Sequence, residues 1–167
     1  MGMLEMIRTR RSVRRFLDRT VPDELVDKIL EAGRWAPSGL NNQPWKFAVV
    51  TGRAMKEDLS KLTRYSKIVS DARVLIPVFL DTGEGYHRIK DAQAVGACLQ
   101  NMLLEAHSLG LGAVWLGEII KSDKEIRGLL GLGGELELMA VLAIGYPAEA
   151  PKTAKRKELK DLIVFRE

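Results

Sequence analysis

The most regular apolar pattern in the chain runs through residues 22–35, where apolar side chains recur at intervals of three and four. Such spacing places them on one face of a helix of about three turns. Pro22 suits the first turn of this helix. Pro37 disfavours helical geometry at the residue before it, so we expect the helix to end near Trp35.

Continuous apolar runs predict buried strands at residues 46–51, 74–81, 113–116 and 137–146, and a run at 163–165 could add a fifth. Pro77 lies inside the second run, which indicates either an edge strand or a bulge. Shorter helices are expected at residues 4–9, 53–62 and 122–130, and Ser122 is the expected cap of the last.

The longest predicted helix covers residues 91–109, and its apolar or small side chains surround most of the helix axis. A helix that is apolar on most sides is buried on most sides. In a domain of this size, we expect a second subunit to cover part of it. Helices and strands are interspersed without strict alternation, so the pattern does not require a purely parallel βαβ fold.

A rigid polar turn is expected at residues 36–45, between the first long helix and the first strand. Pro37 and Pro44 restrict its two ends, while several amides and a hydroxyl remain available for hydrogen bonding. The polar side chains are Ser38, Asn41, Asn42 and Gln43. Such a turn suits a planar ligand that is rich in donors and acceptors.

A basic segment with the sequence RRSVRRF occupies residues 10–16. Guanidinium groups match phosphate oxygens, and Ser12 adds a hydroxyl donor. The alternative is a solvated basic face or a nucleic-acid-binding arm, which is the usual interpretation of a charge run. The spacing favours a phosphate site, because Arg10, Ser12 and Arg14 point to one side if the segment is extended.

Together these segments resemble the nitroreductase-like flavoproteins. Residues 10–16 and 36–45 carry the resemblance, and it continues through QNMLLEA at 100–106, LGLG at 109–112 and AIGYP at 143–147. A basic KRK stretch follows at 155–157. The resemblance implies an α+β fold with a single domain over residues 1–167. It implies a mixed, mostly antiparallel sheet flanked by helices, in an intertwined homodimer whose C-terminal strand joins the partner's sheet.

The resemblance implies a non-covalently bound flavin mononucleotide (FMN) at the subunit interface. The matching phosphate and ribityl anchors are Arg10, Arg11, Ser12 and Arg14, with Arg156 and Lys155 as the distal basic anchors. Many relatives have a second basic residue at the position of Ala154, and Lys152 or Lys155 could compensate for its absence.

The resemblance also places Pro37, Ser38 and Gly39 against the flavin ring, usually from the other subunit. Two further groups match flavin-lining positions, namely Asn41 with Gln43, and Trp115, Leu116 and Gly117. The alternatives are that Asn41 and Gln43 only brace the turn and that Trp115 packs in the core. No nucleophile motif surrounds Ser38, and no catalytic side chain is expected.

Composition adds exclusions to this interpretation. The 167-residue chain has a net charge of +4, with its basic residues concentrated near both ends. This distribution favours a phosphate-bearing ligand over nucleic acid. Cys98 is the single cysteine, which excludes an internal disulfide and fits a cytoplasmic location. His87 and His107 lack partners at metal-ligand spacing, and no run is long enough to span a membrane.

The expected activity is that of an FMN-dependent oxidoreductase. Hydride from NADH or NADPH would pass through flavin N5 to a nitroaromatic, quinone or flavin-type acceptor by ping-pong exchange. Two alternatives stay open, namely other flavin chemistry on the same scaffold, such as reductive dehalogenation or flavin cleavage by oxygen, and FMN binding without turnover. Only residues 82–90 are available to cover the site, and Tyr86 or Arg88 could select the substrate.

Overall fold

A four-stranded antiparallel sheet forms the centre of the computed structural model, which describes residues 2–150 and 154–167. Its strands are β1 Trp45–Phe47, β2 Val74–Asp81, β3 Gly112–Leu116 and β4 Leu136–Gly145, in the order β1-β2-β4-β3. Each pair of neighbouring strands is antiparallel. The predicted α+β class and the mostly antiparallel sheet are confirmed.

Six α-helices surround the sheet within the described residues. They are α1 Met3–Thr9, α2 Asp23–Arg34, α3 Arg53–Ser60, α4 Ser66–Asp71, α5 Arg88–Ser108 and α6 Asp123–Leu130. The sequence pattern predicted all of them except α4, which spans only 6 residues. So short a helix presents less than two turns of periodic pattern.

Alternating side chains of β2 and β4 divide the interior into two cores, one on each face of the sheet. On the first face, Ile76 and Leu142 pack with Ile29 of α2 and Leu99 of α5. On the second face, Leu75 and Val141 pack with side chains of the other helices, namely Leu59, Val69 and Ile126. The helices therefore flank the sheet on both sides, as predicted.

Pro77 lies in an interior strand, because β2 pairs with β1 on one side and with β4 on the other. The expectation of an edge strand is therefore wrong, whereas a bulge is present as a register shift between Val78 and Phe79. The carbonyl of Pro77 accepts a hydrogen bond from Ala48 N–H (3.0 Å) just after β1 ends. In an antiparallel pair, the N–H of residue 77 would also point toward Ala48, but proline has none. The hydrogen bond that is lost therefore lies just beyond the end of β1.

Two local expectations need correction. The Ser122 hydroxyl donates to Leu62 O at 2.8 Å and does not cap α6. Residues 163–165 form no strand, and Val164 is fully exposed. Among the residues that the structure describes, no strand pairs with this segment.

Candidate functional site

The basic segment is held in an extended conformation beside the edge strand β3. Val13 N–H donates to Ala113 O at 3.0 Å, and Leu17 N–H donates to Tyr146 O at 2.8 Å. The Val13 side chain is buried against Gly112, where a Cβ would approach Val13 to 2.6 Å. Since Val13 points inward, Ser12 and Arg14 are exposed on the opposite side. Exposure therefore alternates around Val13, while Arg10 is half-buried and Arg15 is exposed, so a common direction for Arg10, Ser12 and Arg14 stays a prediction.

Arg10 is half-buried and lies close to basic residues from both ends of the chain. Burial, together with the positive charges of Arg156 and Arg11, lowers the pKa of the Arg10 guanidinium. Among the described residues, no carboxylate forms an ion pair with Arg10, Arg11 or Arg156. Mutually repelling cations without acidic partners are the arrangement that a bound anion relieves.

His107 belongs to the same cationic cluster, which the sequence did not reveal. Its Nε2 lies 2.9 Å from the Thr9 hydroxyl. Burial, Arg10 and Arg11 all lower the pKa of His107. The residue lies in the last turn of α5, nearly a hundred positions from Thr9, and no spacing rule connects the two. We define the cationic cluster as Arg10, Arg11, His107 and Arg156.

The other predicted anchors differ in how free they are to bind a ligand. Arg11 Nη1 donates to the carbonyls of Arg8 (2.5 Å) and Arg10 (2.8 Å). Arg14 Nη1 lies 3.5 Å from Ser12 O. Arg156 Nη1 donates to Lys155 O at 3.1 Å, and Lys155 is exposed. Lys152, the other candidate to compensate for Ala154, lies outside the described residues.

The polar turn is braced by its own side chains. Gln43 N–H donates to the Ser38 hydroxyl at 3.0 Å, and Gln43 Nε2 donates to Asn41 O at 3.1 Å. Three of its residues, namely Leu40, Asn41 and Gln43, have positive φ angles of 56°, 57° and 48°. Such angles are unfavourable for residues with side chains, so the surrounding contacts must hold this conformation. The bracing interpretation of Gln43 therefore describes the turn in this chain.

Asp91 connects the polar turn to the segment before α5. Its carboxylate is 1% exposed and accepts hydrogen bonds from Tyr86 N–H (3.0 Å), His87 N–H (2.8 Å) and Asn42 Nδ2 (3.0 Å). Burial opposes ionisation of Asp91, but these hydrogen bonds outweigh it and lower the pKa of the carboxyl group. A buried and ionised carboxylate thus fixes the position of Tyr86.

A groove of about 340 Å³ lies between the polar turn and the beginning of α5. Its lining residues are Pro37, Ser38, Gly39, Tyr86, Lys90, Gln93, Ala94 and Ala97. Three of them belong to the predicted flavin loop, while Asn41 and Gln43 do not line it. Arg88, which the sequence suggested as a selector, instead binds Glu137 (Nη2–Oε1 2.6 Å) and also does not line the groove.

The segment after β3 is the last of the predicted flavin-lining regions. The Trp115 side chain is 41% exposed and lies beside Gly96 of α5, while Leu116 is buried in the second core. The Trp115 side chain is therefore available to a ligand there, whereas Leu116 and Gly117 can offer only their backbone. The Glu118 carboxylate accepts a hydrogen bond from Thr63 Oγ1 (2.6 Å) and pairs with Lys121, so it serves to anchor this segment.

The described residues give little support for a metal site, a cysteine nucleophile or a membrane-spanning helix. No cluster of His, Cys, Asp and Glu residues that could hold a metal ion occurs among the described residues. Burial raises the pKa of the Cys98 thiol to about 12, which makes it a poor nucleophile. Among the helices that the structure describes, none is both long enough and apolar enough to cross a membrane.

Comparisons with known proteins identify the family to which this chain belongs. Residues 7–75 and 60–146 match the model of the nitroreductase family. A relative from Methanothermobacter thermautotrophicus, provisionally named NADH dehydrogenase/NAD(P)H nitroreductase, is 43% identical over 157 residues (92% of this chain and 81% of the relative). A similarly named relative from Archaeoglobus fulgidus is 38% identical over 149 residues (87% and 86%). A crystal structure of a provisional nitroreductase with FMN, from Desulfovibrio desulfuricans, has a TM-score of 0.94 at 48% identity and covers 98% of this chain and 96% of that chain.

Proposed function

The chain belongs to the nitroreductase family, and from this premise we propose that it is an FMN-dependent NAD(P)H oxidoreductase. The FMN complex of the Desulfovibrio desulfuricans protein supports the choice of cofactor. The names of the archaeal relatives support the nicotinamide donor. When bound, FMN would supply the redox chemistry for ping-pong hydride transfer from NADH or NADPH to a nitroaromatic, quinone or flavin-type acceptor.

The single observation that carries the proposal is the cationic cluster. Arg10, half-buried between Arg11 and Arg156, has no acidic partner among the described residues. A phosphate group with about two negative charges would satisfy these guanidinium groups at once. Ser12 and Arg14, exposed on the same extended segment, are the further donors that we assign to the phosphate and ribityl chain.

The polar turn and the segment after β3 are assigned to the flavin ring. Pro37, Ser38 and Gly39 line a groove with an apolar floor, and neither an acidic side chain nor a histidine lines it. The wall formed by these three residues can therefore contact the flavin ring, and the groove offers no carboxylate or imidazole for proton transfer. We keep the proposal that the protein supplies position and electrostatics and that no catalytic side chain is needed.

A homodimer is part of the same proposal. Large apolar side chains on α1 and in the C-terminal segment are exposed in the single chain, namely Met3, Leu4, Ile7, Leu159, Leu162, Val164 and Phe165. A monomer rarely exposes so many large apolar groups in two segments. A second copy that covers them would also place its own polar turn against the flavin of the first.

Visible absorbance of the purified protein tests the proposal. We expect a flavin spectrum, or its appearance on adding FMN, with bleaching during anaerobic titration by NADH or NADPH. Reoxidation by a nitroaromatic or quinone completes the cycle. A protein that takes up no FMN contradicts the proposal. A flavin spectrum that bleaches only with dithionite contradicts the reductase activity and leaves FMN binding or another flavin reaction.

A further inference from the structure

The groove beside the polar turn has a second wall that the cofactor assignment does not use. Tyr86, Lys90 and Gln93 form this wall, with Ala94 and Ala97 beneath them. The volume of about 340 Å³ is near the lower end of the range for small-molecule sites. It suits a single substituted aromatic ring, for which two alanine side chains on α5 offer a flat apolar floor.

Tyr86 lines the groove and lies against the polar turn. A Cβ placed on Gly39 would come within 1.9 Å of the Tyr86 hydroxyl oxygen, so the phenol lies directly against the polar turn. The Tyr86 N–H is bound by the Asp91 carboxylate at 3.0 Å. The backbone of Tyr86 is therefore held by Asp91, while its half-exposed phenol contacts the polar turn.

Lys90 gives the groove its charge. Its Nζ lies 5.4 Å from the centroid of the Tyr86 ring, and none of the lining residues is acidic. Within the described part of the chain, Lys90 forms no salt bridge, whereas the neighbouring Arg88 is paired with Glu137. Asp91 points its carboxylate at backbone N–H groups and Asn42, not at Lys90. The groove therefore carries a net positive charge at one end.

We propose that Lys90 and Tyr86 select substrates that carry an anionic group, and this inference rests on the proposed function. The aromatic ring of an electron acceptor would lie over Ala94 and Ala97, with the π face of that ring beside Tyr86. A carboxylate or phosphate on the acceptor would lie against the Lys90 ammonium. Gln93 supplies an amide that can hydrogen-bond the same anion. Lys90 could equally bind a phosphate of the nicotinamide nucleotide. The experiment therefore distinguishes an anion on the electron acceptor from an anion on the nucleotide.

The test compares Lys90→Gln with wild type, both loaded with FMN. Benzoate and benzamide are non-reducible probes of equal shape, and their dissociation constants follow from changes in the flavin absorption spectrum. We expect Lys90→Gln to weaken benzoate binding about tenfold and to leave benzamide unchanged. The KM for 4-nitrobenzoate should rise by a similar factor, with little change for 4-nitrobenzamide.

Arg88→Gln is the matched control, because it removes one positive charge two residues away without touching the groove. It should leave both probes unaffected, and Lys90→Arg should restore benzoate binding. The inference would be overturned if Lys90→Gln weakened benzoate and benzamide binding equally. It would also be overturned if Lys90→Gln changed the affinity for neither benzoate nor NADPH. A loss of NADPH binding relative to NADH, with benzoate unchanged, would support anion selection with the nucleotide as its source. Unchanged FMN content in every variant separates these results from a failure of the proposed function.

Discussion

The side chain of Asn42 is hydrogen-bonded to the buried carboxylate of Asp91, with 3.0 Å between Nδ2 and Oδ1. Asn42 Nδ2 also donates to Glu84 O at 2.9 Å. The two residues come from opposite walls of the groove, one from the polar turn and one from the first turn of α5. This contact therefore sets the width of the groove without contributing a lining side chain.

Asp91→Asn should destabilise the protein by about 2–3 kcal/mol, because an amide replaces a carboxylate that accepts three hydrogen bonds. One of the amide hydrogens would face a backbone N–H or the Asn42 amide, so at least one bond becomes a clash of donors. Urea unfolding at pH 7 measures the change. Asp27→Asn, on the exposed face of α2, is the control and should stay within about 0.5 kcal/mol of wild type. A similar small effect of Asp91→Asn would show that the carboxylate is dispensable.

The contribution of Asp91 should depend on pH in a defined direction. Its pKa is lower in the folded protein than in the unfolded chain, so the unfolded chain binds more protons between the two pKa values. The stabilisation is complete above about pH 4 and is lost as the pH falls through the folded pKa. The stability difference between wild type and Asp91→Asn should therefore be constant from pH 7 to 5 and shrink below about pH 4. A constant difference down to pH 3 would contradict this account.

The sequence predicted the parts of this protein that periodicity and backbone chemistry determine locally. The inward position of Val13 and the outward positions of Ser12 and Arg14 follow from alternation in an extended segment. The order of apolar runs predicted most of the helices and strands, whereas the α+β class and the mostly antiparallel sheet came from the resemblance to the family. Resemblance to the family added the cofactor, which local patterns alone could not identify.

The remaining features depend on contacts between segments distant in sequence. His107 joins the cationic cluster only because the end of α5 packs beside Thr9. Lys90 lines the groove and Arg88 does not, because Glu137 of β4 binds the arginine. Ser122 occupies the N-cap position of α6, but its hydroxyl donates to Leu62 O and accepts no hydrogen bond from the first turn. None of these partners can be identified without the tertiary structure.

Arg10→Ala should weaken FMN binding about 10- to 100-fold, because it removes charge-assisted hydrogen bonds to the phosphate. Fluorescence quenching of FMN measures the affinity. Riboflavin, which lacks the phosphate, should bind wild type and variant alike. The apoprotein should not lose stability, since the change removes a half-buried charge that Arg156 and Arg11 repel.

The control for this experiment is Arg15→Ala. Arg15 is exposed and pairs with Glu149 (Nη1–Oε2 3.4 Å), so it lies in the same basic run but is already neutralised. We expect no change in FMN affinity. Equal losses for both variants would mean that the net charge of the segment, and not the position of Arg10, governs binding.

Two glycines at the end of α6 offer a matched pair for stability. Gly128 lies inside the helix, whereas Gly131 ends it with φ 67°, and a Cβ would meet no atom within 4 Å at either position. Gly128→Ala should stabilise the protein by up to about 1 kcal/mol through helix propensity. Gly131→Ala should destabilise it by about 1–2 kcal/mol, because alanine is unfavourable in the left-handed region. Urea unfolding of both variants checks the opposite signs, and equal signs would contradict the helix end described.

His107 should link FMN binding to pH. In the apoprotein its pKa is lowered by burial, Arg10 and Arg11, so the imidazole is mostly neutral at pH 7. A phosphate bound in the cluster would stabilise the protonated form and raise that pKa, and binding would then be accompanied by proton uptake. If the pKa of His107 rises by about 1 on binding, FMN binds about tenfold more tightly at low pH.

His107→Gln keeps a hydrogen-bonding group near Thr9 but cannot titrate. Dissociation constants for FMN from pH 8 to 6 should therefore favour wild type increasingly over the variant as the pH falls. Titration of the phosphate itself affects both proteins equally, and riboflavin should show no difference between them. Parallel pH profiles for the two proteins would place the phosphate away from His107.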